Sequence, residues 1–195
     1  MKKNKKPSQA EIVKQLSDRE LIINVYASQF LFLLIASILG FFLFNSFSEF
    51  LSLWYFDAKE IIVYAVLPAL IIVTINVILV KFLPKKSYDD GGVNERLFKA
   101  LSIPHIFAIT LLIAFAEEVL FRGVIHTFAG FIIASLIFAL IHFRYLNKAV
   151  LLVSVLLLSF LIGYMYEVTS NLMVPFVAHF LIDFLLGIYY RLFMR

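Results

Sequence analysis

The stretch FAEEVLFRG, residues 115–123, sets two adjacent glutamates and an arginine inside a largely apolar run, residues 101–128. A bilayer core takes about 20 apolar residues in helical form, and this run is long enough. A charge removed from water is costly, and two ionised neighbours are worse. Glu117, Glu118 and Arg122 therefore need a protein interior or a cavity to face, because charged residues within spans rarely face lipid.

The surrounding chain agrees with a membrane setting. Hydrophobic residues make up 63% of the 195-residue sequence and the mean hydropathy is +0.97, whereas soluble domains are about half apolar. No alternation of apolar and polar residues persists long enough for a β-barrel. The expected fold is an all-α, polytopic bundle of about six transmembrane helices. The first lies between Glu20 and Glu49, and the others cover residues 61–80, 101–128, 130–143, 149–166 and 172–190. Residues 1–20 form a basic cytoplasmic tail, with a short amphipathic helix around 11–21. Residues 21–195 form a single membrane domain with a catalytic core at about 101–190. The net charge of +4 resides mainly in the tail and loops, so it points to membrane orientation and not to nucleic acid. Lys2, Lys3, Lys5 and Lys6, then Lys81, Lys85, Lys86, Arg96 and Lys99, and finally Arg191 and Arg195, put both termini in the cytoplasm of a multi-pass cell-membrane protein. The absence of cysteine excludes disulfides, thiolate catalysis and thiolate metal sites.

Few polar residues remain inside the apolar segments: Glu117, Glu118, Arg122, His142, His179 and Asp183, with His126 at the margin. Successive helical residues point about 100° apart, so the two glutamates face different ways. Glu118 and Arg122 stand at i, i+4 and suit an ion pair, which leaves Glu117 to face a pocket. Phe138 and His142, and likewise His179 and Asp183, share one face of their helices by the same spacing. Helical hairpins turning near Phe128 and Ser170 bring these sets to similar depths, in the inner half or middle of the bilayer. Hydrolysis fits the set. A carboxylate in a water-poor pocket suits a general base acting on water. Two histidines suit oxyanion stabilisation or metal binding, and Asp183 suits orienting His179. One Glu and two His also match a zinc ligand set in type, though not in HExxH spacing. Phe138 reads as pocket wall, His105 as a surface or loop residue, His126 as interfacial, and Pro68 and Pro175 as kinks.

In order along the chain, Glu117-Glu118-xxx-Arg122, Phe138-xxx-His142 and His179-xxx-Asp183 form the pattern EExxxR, FxxxH, HxxxN/D. This resembles the CAAX protease and bacteriocin-processing family of intramembrane proteases, related to the type II CAAX prenyl endopeptidase. Gly123 after the arginine also matches. The resemblance covers roughly residues 101–190. It implies that Glu117 is the catalytic glutamate, that Glu118 and Arg122 are its partner acid and arginine, and that His142 and His179 are the two histidines. Asp183 stands where Asn is common. Members are described as metalloproteases, and a metal-free mechanism with Glu-activated water is also proposed for the fold. A divalent metal such as zinc, with Glu117, His142, His179 and Asp183 as candidate ligands, and a metal-free site both remain open. The implied function is an intramembrane endopeptidase acting on a membrane-associated protein or peptide, in bacteriocin immunity or peptide maturation. Its partners are membrane lipid and a peptide or protein substrate. Buried acids and histidines also fit a small proton-coupled transporter, and the same fold fits a non-catalytic immunity or scaffold protein.

Overall fold

A computed structural model describes residues 15–145 and 148–194, and among these there are helices and no strands. Helix α1 (Asp18–Leu43) starts at a capping box. Ser17 Oγ accepts from the Glu20 amide, and Glu20 Oε2 accepts from the Ser17 amide at 2.7 Å. Ser17 itself is extended, so a continuous helix over 11–21 is interrupted there; residues 11–14 of that expected helix lie outside the described residues. A short helix, Phe47–Ser52, leads to α2 (Ala58–Phe82). Asp57 caps α2, and the turn Ile61–Val66 widens to π form before Pro68. Proline removes an amide and crowds the carbonyl four residues back, and a wider turn relieves both.

Helix α3 (Val93–Ala100) is short and amphipathic, and it buries Val93, Leu97 and Phe98. Asp90 accepts from the amides of Val93 and Asn94 at its start. Helix α4 (Ile103–Ala129) carries Pro104 in its first turn, where no amide is needed. Gly130 ends it at φ +87°, a conformation that favours glycine. Helices α5 (Phe131–Ile141), α6 (Ala149–Thr169) and α7 (Met173–Phe193) complete the chain.

Five helices, α1, α2, α4, α6 and α7, are long and apolar enough to cross a membrane. The expected fourth span differs. Helix α5 has only 11 residues, about 16 Å against a hydrocarbon core of about 30 Å. Hydropathy continues to Phe143, but the backbone leaves the helix at His142 (φ −82°, ψ 43°) and a 3₁₀ turn, Phe143–Tyr145, follows. The expected all-helical membrane bundle therefore holds, with its fourth member reaching about halfway.

The helices run alternately between two faces. At one, the segment after α1 meets the α4–α5 and α6–α7 turns. Leu172 N–H donates to Leu53 O at 2.8 Å, Tyr55 Oη to Thr169 O at 2.8 Å, and Phe44 lies edge-on to Phe128. At the other, Asn94 reaches Tyr145, Arg191 donates to Lys99 O, and Arg96 pairs with Asp18. Two apolar clusters pack α1 on α4. Leu21, Val25 and Tyr26 join Ile106, Ile109 and Ile113 toward the Asp90 face. Phe32 and Ala36 join Leu120, Phe121 and Val124 toward the Trp54 face. The charged residues of FAEEVLFRG begin in the layer between these clusters.

Helix α5 packs closely on α6. A Cβ on Gly163 would lie 2.8 Å from Ser135 Oγ and 2.9 Å from the Phe131 ring. Gly163→Leu is expected to destabilise the detergent-solubilised protein by about 1–3 kcal/mol, through overpacking. Gly40 faces open space apart from Phe44 at 3.7 Å, so Gly40→Leu serves as the tolerated control in the same thermal-unfolding assay. Equal midpoints for the two variants would contradict this packing.

Candidate active site

Glu117 and Glu118 end the regular part of α4, and the next residues, Val119–His126, form a π-helical stretch. Such stretches favour functional sites because they re-aim side chains within a helix. Glu118 and Arg122 are both fully buried, and Arg122 Nη1 lies 3.3 Å from Glu118 Oε1. The same oxygen receives His179 Nδ1 at 2.7 Å, so one carboxylate oxygen ties α4 to α7.

The guanidinium has further partners. Its Nη2 donates to Ser159 O at 2.9 Å and lies 3.4 Å from Ser159 Oγ. Ser159 Oγ donates on to Ser135 O at 3.0 Å. The cation also sits 4.6 Å above the Phe138 ring, a favourable contact when water is excluded. Arg122 thus binds α4, α5 and α6 together, while Glu118 adds α7. Gly123 leaves room for Leu172, which a Cβ would approach to 3.0 Å.

Glu117 is buried and points elsewhere. Its Oε2 is 4.0 Å from His179 Nε2, and Asp183 Oδ2 is 3.5 Å from that same nitrogen. The imidazole is therefore gripped at Nδ1 by Glu118 and presents Nε2 to Glu117 and Asp183. The shortest contact to His179 comes from Glu118, on another helix, where the i, i+4 spacing points to Asp183. His142 lies at the end of α5, with Nδ1 2.8 Å from Phe138 O. Phe138 lies between the two histidines, its ring centroid 4.9 Å from His142 and 6.1 Å from His179. Both imidazoles are tethered through Nδ1, which leaves Nε2 available.

Tyr145 stacks on His142 on the Asp90 side. The remaining histidines lie outside the site. His126 Nε2 is 2.7 Å from Glu167 Oε2 toward the Trp54 face, at the end of the span, and its side chain is buried there. His105, expected at the surface or in a loop, sits in the first turn of α4 with Nε2 2.9 Å from Tyr26 Oη. Ser159 and Tyr145 escaped sequence reasoning: Ser159 has no charged neighbour at helical spacing, and Tyr145 stands just beyond the apolar run in which the polar residues were sought.

The donor atoms left free are Glu117 and Asp183 oxygens and the two Nε2 atoms, which are ligand types suited to zinc. Among the described residues, however, no three His, Asp or Glu side chains are gathered closely enough to hold a metal ion. The donor set fits zinc in kind and not in placement.

The fold and this layer define an all-helical membrane protein with a buried Glu–His–Arg centre. The family model "Type II CAAX prenyl endopeptidase Rce1-like" matches residues 99–185. Over 156 residues the chain is 49% identical to "Uncharacterized protein YpbD" of Bacillus subtilis (strain 168), covering 80% of this chain and 82% of that protein. The chain belongs to the Rce1-like family of CAAX-type membrane proteins. No solved structure matches it significantly.

Breaking the buried pair leaves one charge uncompensated. Glu118→Gln and Arg122→Ala are each expected to cost about 3–5 kcal/mol and to lower membrane yield. Wild-type thermal stability for both single variants would show that the pair does not hold the bundle.

Proposed function

We propose that this protein is an intramembrane endopeptidase that hydrolyses a peptide bond of a membrane-associated protein or peptide with Glu117 as general base. The observation that carries this reading is the buried Glu117 carboxylate 4.0 Å from His179 Nε2, on a ring anchored by Glu118, which is itself paired with Arg122. Glu117 takes a proton from water as the water oxygen attacks the peptide carbonyl. The Nε2–H groups of His142 and His179, when protonated, donate to the oxyanion of the tetrahedral intermediate. Glu117 then passes its proton to the leaving amine as the C–N bond breaks. Glu118 and Arg122 hold His179 and the surrounding helices, and Asp183 helps orient Nε2. Zinc, if bound, would supply Lewis-acid activation of water, with Glu117, His142, His179 and Asp183 as its holders. Among the described residues no three of these donors are gathered closely enough to hold a metal ion, so the steps above run through the side chains alone.

The short α5 supports a route of substrate entry. Non-helical backbone at membrane depth is tolerated where protein or a water-lined cavity satisfies it. The turn at 142–145 leads from His142 toward the Asp90 face. The Lys and Arg residues of that face support a cytoplasmic side for it and for both termini. Cysteine introduced at Lys86 should then be labelled only after permeabilisation, and cysteine at Ser48 in intact cells.

The family description suggests the first probe: a quenched fluorescent peptide ending in a farnesylated cysteine and three further residues. Purified wild type is expected to cleave it and to place one ¹⁸O from labelled water in the new carboxylate. Glu117→Gln should reduce the rate by about 10²–10⁴-fold. Dialysis against a strong chelator should leave the rate unchanged. Cleavage by Glu117→Gln at the wild-type rate would contradict Glu117 as base; loss on chelation with recovery on added zinc would contradict the metal-free route.

A further inference from the structure

The proposed family residues all lie on α4, α5 and α7, yet α1 brings one polar side chain to the same layer. Gln29 is 4% exposed, near the middle of a helix that is otherwise apolar at that depth on its buried face. Its neighbours along that face are Val25 and Tyr26 on one side and Phe32 on the other. Tyr26 bonds His105 and shares a cluster with Ile113, and Phe32 lies against Phe121 at 5.9 Å. On α4, Glu117 is four residues after Ile113 and four before Phe121. The helices run parallel, and Gln29, midway between Tyr26 at His105 and Phe32 at Phe121, comes level with about Ile113, one turn before Glu117 and between the two apolar clusters.

The orientation of the amide follows from its neighbour. Ser28 Oγ donates its single proton to Val25 O at 2.8 Å, so it can only accept from Gln29, whose Nε2 lies 3.2 Å away. The amide nitrogen is thereby fixed toward Ser28, and Oε1 is left buried without a protein partner. Five buried side-chain atoms among the described residues lack a partner, and three more, Glu118 Oε2, Arg122 Nε and Ser135 Oγ, belong to or adjoin the same layer. Buried polar atoms of this kind are ordinarily satisfied by water, and their clustering marks where water belongs.

Resting on the protease reading above, we infer that Gln29 Oε1 accepts a hydrogen bond from the attacking water and so orients it on Glu117. A water molecule has two protons and needs an acceptor for each. Glu117 removes one, and Gln29 holds the other, which stays on oxygen through the attack. With both protons fixed, a lone pair of the water is aimed away from both acceptors, toward a peptide carbonyl beside His179 and His142. Gln29 lies in the first span, outside the region that the family model matches, residues 99–185.

The test uses full-length protein in bilayers. Gln29→Met keeps the length and removes the acceptor. With the farnesylated peptide, kcat is expected to fall roughly 10- to 100-fold while KM stays within about twofold, the signature of an interaction made in the transition state. Ser37→Ala, on the exposed side of the same helix, should behave as wild type. An unchanged kcat in Gln29→Met, with Glu117→Gln inactive, would overturn this inference and leave the protease reading standing. Failure of wild type to cleave would sink that reading and the role of Gln29 with it. A second readout needs no substrate. In water-edited solid-state NMR of ¹³C-labelled protein, the Gln29 Cδ signal, identified by its loss in Gln29→Met, should receive water magnetisation as fast as exposed sites do. A dry Gln29 Cδ would overturn the inference whatever the kinetics.

Discussion

One carboxylate oxygen, Glu118 Oε1, organises the molecule. It receives His179 from α7 and Arg122 from its own helix, with side chains that are nearly or wholly inaccessible to water. A buried ion pair alone contributes little net stability, since desolvation offsets attraction. Its consequence here is specificity of arrangement. Arg122 cannot keep Glu118, Ser159 and the Phe138 ring as partners unless α4, α5 and α6 stand in one register, and His179 adds α7 to the same requirement. Wrong registers strand a charge in oil, which makes them steeply unfavourable.

That constraint separates two kinds of carboxylate on adjacent residues. Glu118 is committed to structure and to the Nδ1 side of His179. Glu117, about 100° around the helix, keeps only longer contacts to the Nε2 side. The site thus combines a rigid half with a half open to reactants. The broken fourth helix adds to this. Gly130 and the departure of the backbone at His142 place an imidazole at a helix end, beside Phe138 and Tyr145, instead of within a continuous span. Apolar side chains such as Phe30, Leu34, Ile71 and Leu157 cover the outside and suit lipid.

Much of this was legible in the residues themselves. Helical spacing pairs Glu118 with Arg122, and hydropathy finds the five long helices. Hydropathy does not see where a helix breaks, so the apolar run through Phe143 looks like a full span although its backbone turns at His142. Spacing assumes regular α geometry, and the π stretch after Glu118 is invisible to it. The largest gap concerns residues with no partner on their own helix. Ser159 meets Arg122 only through the packing of α6 on α4, and nothing at helical spacing sets the buried Gln29 apart from a packing residue. Asp183, close in sequence to His179, looked like its holder, while the shorter bond comes from Glu118, 61 residues away.

The account stands on the bond between Glu118 and His179. Dipolar recoupling between ¹³C-labelled glutamate carboxyls and ¹⁵N-labelled histidine in lipid bilayers measures it directly. Glu167→Gln removes the other short Glu–His contact, to His126. In that background, His179 Nδ1 should couple strongly to one carboxyl carbon, as an N···O separation of 2.7 Å requires, and the coupling should vanish on Glu118→Gln. A His179 Nδ1 uncoupled from any glutamate, or coupled to Glu117 instead, would contradict the arrangement on which the proposed chemistry depends.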